Sequence, residues 1–146
     1  MHILKNRILT IKSLFIILVV LAALVIFLMF SGDMGILAGV NIFALWGMFT
    51  LAGLGLVLMV YKAKLSGKIK VFLLASGYAA VGFLIGVVLH NLFYALASMT
   101  ASVFLSGLLG FLEGTFFILA VLVCPLALLV GIAGTLILWK VIPTGK

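Results

Sequence analysis

Residues 86–96 read GVVLHNLFYAL, and they set a histidine and an asparagine, His90 and Asn91, into an otherwise apolar run. On a helix Tyr94 neighbours both, four residues beyond His90 and three beyond Asn91. An imidazole, a carboxamide and a phenol can each donate and accept hydrogen bonds, and an imidazole can also carry a proton. Polar groups at membrane depth are costly, so each one here needs an account. Asn41, near the start of the second apolar run, and Glu113, just before the fourth, belong to the same set.

Helix arithmetic puts these residues at one height. The third run starts on a basic side, and His90 lies about 19 residues into it, roughly 29 Å at 1.5 Å per residue. That is close to the far edge of a hydrocarbon layer about 30 Å thick. Asn41 lies about five residues into its run from that far side, which is a similar height. Asn41, His90, Asn91, Tyr94 and Glu113 are therefore expected to form a polar layer in the outer leaflet, with Asp33 above it.

Two readings of the layer follow. In the first, its members are interhelical hydrogen-bonding groups that hold a bundle together at the rim. In the second, they line a pocket for a ligand, an ion or a proton. Glu113 is either a solvated acid favoured by a helix N-terminus or the partner of His90 in a proton-responsive pair. Catalysis would draw on the same acid–base groups. No serine or cysteine nucleophile stands beside them in the sequence, so no catalytic residue is assigned and a non-enzymatic protein is expected. A single intramembrane histidine makes a metal site only with help from a second chain, so no metal and no cofactor are expected. Cys124, in VLVCPLAL, is the one cysteine. It reads as a small buried hydrophobe and excludes a disulfide within the chain.

The elements that must position these residues follow from composition. Of 146 residues, 68% are hydrophobic and 8% are charged; soluble domains carry about 25% charged residues. The fold class is all-α and integral to a membrane. Four apolar runs, 14–30, 36–61, 71–97 and 115–139, approach or exceed the roughly 20 helical residues that a crossing takes. Lipid leaves exposed backbone groups unsatisfied, so the runs are helices. They do not alternate polar with apolar, as barrel strands would. The expected architecture is a single domain over 1–146, a four-helix transmembrane bundle. The first run is too long for a cleaved leader and reads as a retained signal-anchor helix.

The connection SMTASVFLSGLLGFLEG is the odd piece. Its apolar core, 101–112, is too short to span. Ser98, Ser102, Ser106 and Gly110 recur every four residues and would give a helix one small, weakly polar stripe. A short interfacial or re-entrant helix before the fourth span is expected, with extension of the third or fourth span as the alternative.

All nine basic residues lie in the N-terminal segment, the second connection or the tail, and none in the first or third connection. The positive-inside rule then puts both termini in the cytoplasm and both acids, Asp33 and Glu113, outside. The expected location is the cytoplasmic (inner) membrane of a prokaryote. The net charge of +7 points to anionic lipid headgroups at the cytoplasmic lysines, and no nucleic acid is expected. Gly82 and Gly86 form G-x-x-x-G, which lets helix backbones approach closely. The glycine-rich second run is their simplest partner. Pro125 removes a backbone donor inside the fourth run and predicts a kink there.

Together these features suggest a small membrane protein that acts by association. It would be a subunit, assembly factor or regulator of a membrane complex, or a homo-oligomer. The alternative is a small transporter or channel with an outer-leaflet polar site around His90, Asn91 and Glu113.

Overall fold

The structure, a computed structural model, describes residues 2–30 and 42–141. Asp33 and Asn41 lie outside them. α1 is His2–Phe30, α2 is Ile42–Lys62 and α3 is Gly67–Met99. α4, Val103–Ile118, leads through a π-helical turn, Leu119–Val123, into α5, Cys124–Ile137, and a 3-10 turn, Trp139–Val141. Four helices are long and apolar enough to cross a membrane: Asn6–Leu28, Ile42–Lys62, Gly67–Met99 and Val103–Ile137.

The last of these follows the alternative sequence expectation, an extension of the fourth span, rather than a separate interfacial or re-entrant helix. Residues 101–112 do not form a separate short helix. From Val103 they supply the first turns of one continuous helix that becomes the fourth span. The chain breaks only at Thr100–Ser102, where the Ser102 hydroxyl accepts the Leu105 N–H and caps the new helix. Between Ser102 and Pro125 no residue forces a stop, because a single glycine costs a helix only about 1 kcal/mol.

Successive helices run antiparallel. Arg7 of α1 donates to the carbonyl of Lys62, at the end of α2, where it satisfies one of the orphan acceptors that a helix end leaves. Trp46 meets Phe83 edge-on, and the Tyr61 and Tyr78 hydroxyls lie 3.0 Å apart across α2 and α3. Lys64 takes a left-handed φ of 52° in the tight link between those helices. The bundle closes at the same end, where Trp139 packs on Phe15 of α1 and lies under the Lys12 ammonium. Arg7, Lys12, Lys62, Lys70 and Lys140 therefore gather at one end of the bundle, and His90 and Glu113 at the other.

α3 is the hub. It packs against α2 on one side and against α4, the π turn and α5 on the other, while α1 packs on α2. Phe15, Ile11, Leu18, Leu56, Val60 and Leu73 are almost fully buried and form the centre of the core. With 33 residues α3 is about 50 Å long. α2, with 21, is about 32 Å. The C-terminal turns of α3 thus run past the first described residue of α2, paired with α4.

Candidate functional site

The end of the α3–α4 pair opposite the basic residues brings together two of the five residues expected in the polar layer. His90 Nδ1 lies 3.4 Å from the Glu113 backbone oxygen and 3.8 Å from Glu113 Oε1. The first distance suits an Nδ1–H donating to the carbonyl, which leaves Nε2 as an acceptor. The second admits an ion pair whenever the imidazole is protonated. Both side chains are about a quarter exposed, at 27% and 28%. Phe117 flanks the imidazole at 5.3 Å between ring centres, and one turn outward Phe93 stacks on Phe116 at 5.5 Å. The pair is thus a polar contact set among aromatic contacts between two helices.

Of the others, Asn91 and Tyr94 do not join it, and Asn41 lies outside the described residues. Asn91 is exposed and donates to Val87 O of its own helix at 2.8 Å, an intrahelical bond that satisfies its amide locally. Tyr94 is 61% exposed and faces outward. Among the described residues no group of three or more His, Cys, Asp or Glu side chains could hold a metal ion.

The glycines divide into two kinds. Gly82 and Gly86 lie against the fourth span rather than against α2. A Cβ on Gly82 would come within 3.1 Å of Cys124 Sγ, and one on Gly86 within 2.9 Å of the Ala120 Cβ. Ala120 belongs to the π turn, and the Cys124 N–H reaches back five residues to Leu119 O. That widened turn comes directly before Pro125, whose ring nitrogen has no hydrogen to donate. α2 meets α3 through a different pair: a Cβ on Gly53 would lie 2.8 Å from Gly77 O, and one on Gly77 2.9 Å from Gly53 O. Deeper along the seam, Gly131 sits against the backbone of Phe72 and Ser76, and Gly134 against the Phe72 ring. Ser76 and Thr135 in this seam are fully buried.

Gly107, Gly110 and Gly114 are different. Among the described residues, a Cβ on any of them would meet nothing within 4 Å beyond its own stretch of helix. Spacings of three and four put all three on one flank of α4. No residue of α4 is buried, and Val103, Phe104 and Phe111 are among its most exposed side chains.

The chain matches no protein family, no characterised protein and no solved structure. What it can do is therefore argued from its own geometry.

The sequence reading missed the Gly131–Gly134 seam, although GIAGT spells it in the fourth run. It also missed an apolar cavity of about 120 Å³ at mid-height, lined by α1, α2, α3 and α5. That lining comes from four helices and leaves no local pattern in any one of them.

Proposed function

We propose that the protein acts by association in the membrane, through the glycine flank of α4, as a homo-oligomer or as a subunit, assembly factor or regulator of a larger complex. One observation carries this reading. The glycines at the helix seams are filled by a neighbouring helix, whereas no described residue fills the space beside Gly107, Gly110 and Gly114. In lipid, helices associate through close packing of small residues, since the bilayer gives apolar side chains no drive to leave it. Three open glycines on one flank offer a second helix the approach that Gly86 gives Ala120.

The gathering of basic residues at one end supports a topology with both termini in the cytoplasm and Glu113 outside. A prokaryotic inner membrane suits that topology. On this reading the first turns of α4 stand at the outer interface, and the lysines meet anionic headgroups on the inner face. The chemistry is non-enzymatic, and neither cofactor nor nucleic acid takes part.

The second reading, a small transporter or channel with an outer polar site, has one observation in its favour: the contact between His90 and Glu113. Asn91 and Tyr94 point away from that contact, which weakens it as a pocket.

Native mass spectrometry of the protein in membrane-derived nanodiscs tests the association reading. Wild type should run as an oligomer or with a partner chain, and Gly110→Leu as a single chain with unchanged helicity. A single chain in both, or the same assembly in both, would rule the α4 flank out.

A further inference from the structure

The cavity between the four helices reaches the surface. Ala22 and Val25 of α1, Phe49 of α2, Ala79 of α3, and Cys124 and Leu128 of α5 are buried around it. Two more of its lining residues are exposed, Ile26 at 46% on α1 and Leu129 at 56% on α5. The space therefore opens sideways between α1 and α5. Its lining is almost wholly apolar. A buried water needs two to four polar partners, so the lining suits hydrocarbon rather than water.

α1 and the turn that follows α5 carry charge at the basic end of the bundle. Lys12 of α1 lies over the Trp139 ring at 5.4 Å, and Lys140 follows Trp139 and is exposed. Ala22 stands ten residues beyond Lys12 on α1, a rise of about 15 Å. That is half of a hydrocarbon core of about 30 Å, the depth that one leaflet's chains reach. Tryptophan beside a membrane surface sits at headgroup level.

We propose that this cleft is a binding site for one anionic phospholipid of the basic-side leaflet. Its acyl chain ends in the α1–α5 cavity, and its headgroup phosphate is held by Lys12 and Lys140 beside Trp139. The site rests on the membrane orientation above and is independent of whether α4 associates with another helix. The cavity selects for hydrocarbon and the two ammonium groups select for negative charge, so neither feature alone would distinguish this lipid from the rest of the bilayer.

The test uses wild-type protein in phosphatidylcholine vesicles that contain trace phosphatidylglycerol with a photoactivatable diazirine near the acyl terminus. Labelling should concentrate on residues 22–26 and 124–132, and a phosphatidylcholine probe with the same tail should label them several-fold less. The double variant Lys12→Gln, Lys140→Gln should bring that several-fold preference down to near parity. A matched pair on the exposed link, Lys64→Gln with Lys68→Gln, should retain it. Labelling spread evenly over the outward faces of the helices overturns the cavity. Equal labelling by both probes, or an equal loss in the two double variants, overturns the headgroup site. Labelling is read peptide by peptide whatever the oligomeric state, so a negative result here leaves the α4 reading standing, and the reverse also holds.

Discussion

Gly131 and Gly110 lie on the same continuous helix, about 30 Å apart along it. Gly131 is buried against the α3 backbone, close enough that a single methyl group would strike Ser76 and Phe72 O. Gly110 has room for one. The two ends of the fourth span therefore use the same residue to different effect. At the basic end of the bundle glycine lets a helix seat on its neighbour within the chain. At the opposite end, among the described residues, it leaves a flank bare. A bare glycine flank costs helix stability, since glycine is worse than alanine by roughly 0.5–1 kcal/mol per position. Three such positions on one flank make sense if something outside the chain uses them.

Alanine substitutions sharpen this contrast. Gly131→Ala has the largest expected effect, about 3 kcal/mol of destabilisation, because backbone atoms cannot step aside. Gly86→Ala should cost less, about 1–2 kcal/mol, since its nearest backbone atoms, Ala120 Cα and N, stand farther off at 3.3 Å, against 2.7 and 2.9 Å to Ser76 N and Phe72 O at Gly131. Thermal unfolding in mild detergent should rank them in that order, and the reverse order would place the tight seam elsewhere.

His90→Ala comes next. It removes one hydrogen bond and the contact with Phe117, worth about 1 kcal/mol in a membrane setting. A loss confined to stability supports a rim-packing role. Loss of a transport activity with the fold intact would favour the polar-site reading.

The smallest effect belongs to the bare flank. Gly110→Ala should leave the unfolding of the isolated chain unchanged or raise its stability by less than about 1 kcal/mol. Destabilisation comparable to that of Gly131→Ala would mean that the flank is already packed within the chain.

Much of this was legible in the sequence. Four apolar runs and nine basic residues give the helices and the charged end, because length and hydropathy act locally. The meeting of His90 with Glu113 was accessible from depth, since rise per residue fixes height along a helix. Direction around the helix was not accessible. Asn91 is 100° away from His90 and turns outward, so sharing a height did not mean sharing a site. The partner of Gly82 and Gly86 was misread for the same reason: a short connection favours α2, but the α2–α3 contact already uses Gly53 and Gly77. For 101–112 the sequence left a separate short helix and an extension of the third or fourth span both open, because length alone does not say whether a helix stops; the structure continues it into the fourth span. Ser98 and Ser102 fell on opposite sides of the break at Thr100, so the expected small stripe dissolved. The three glycines further along α4 took its place.

Cross-linking in intact membranes tests the central claim most directly. In a Cys124→Ala background, Gly107→Cys puts a thiol on the bare flank, and Leu108→Cys puts one about 100° away on the same exposed helix. Mild oxidation should join the Gly107→Cys chains to each other or to a partner several-fold more efficiently than the Leu108→Cys chains. Equal cross-linking of the two, or none at Gly107→Cys, would contradict the account and leave the flank facing lipid alone.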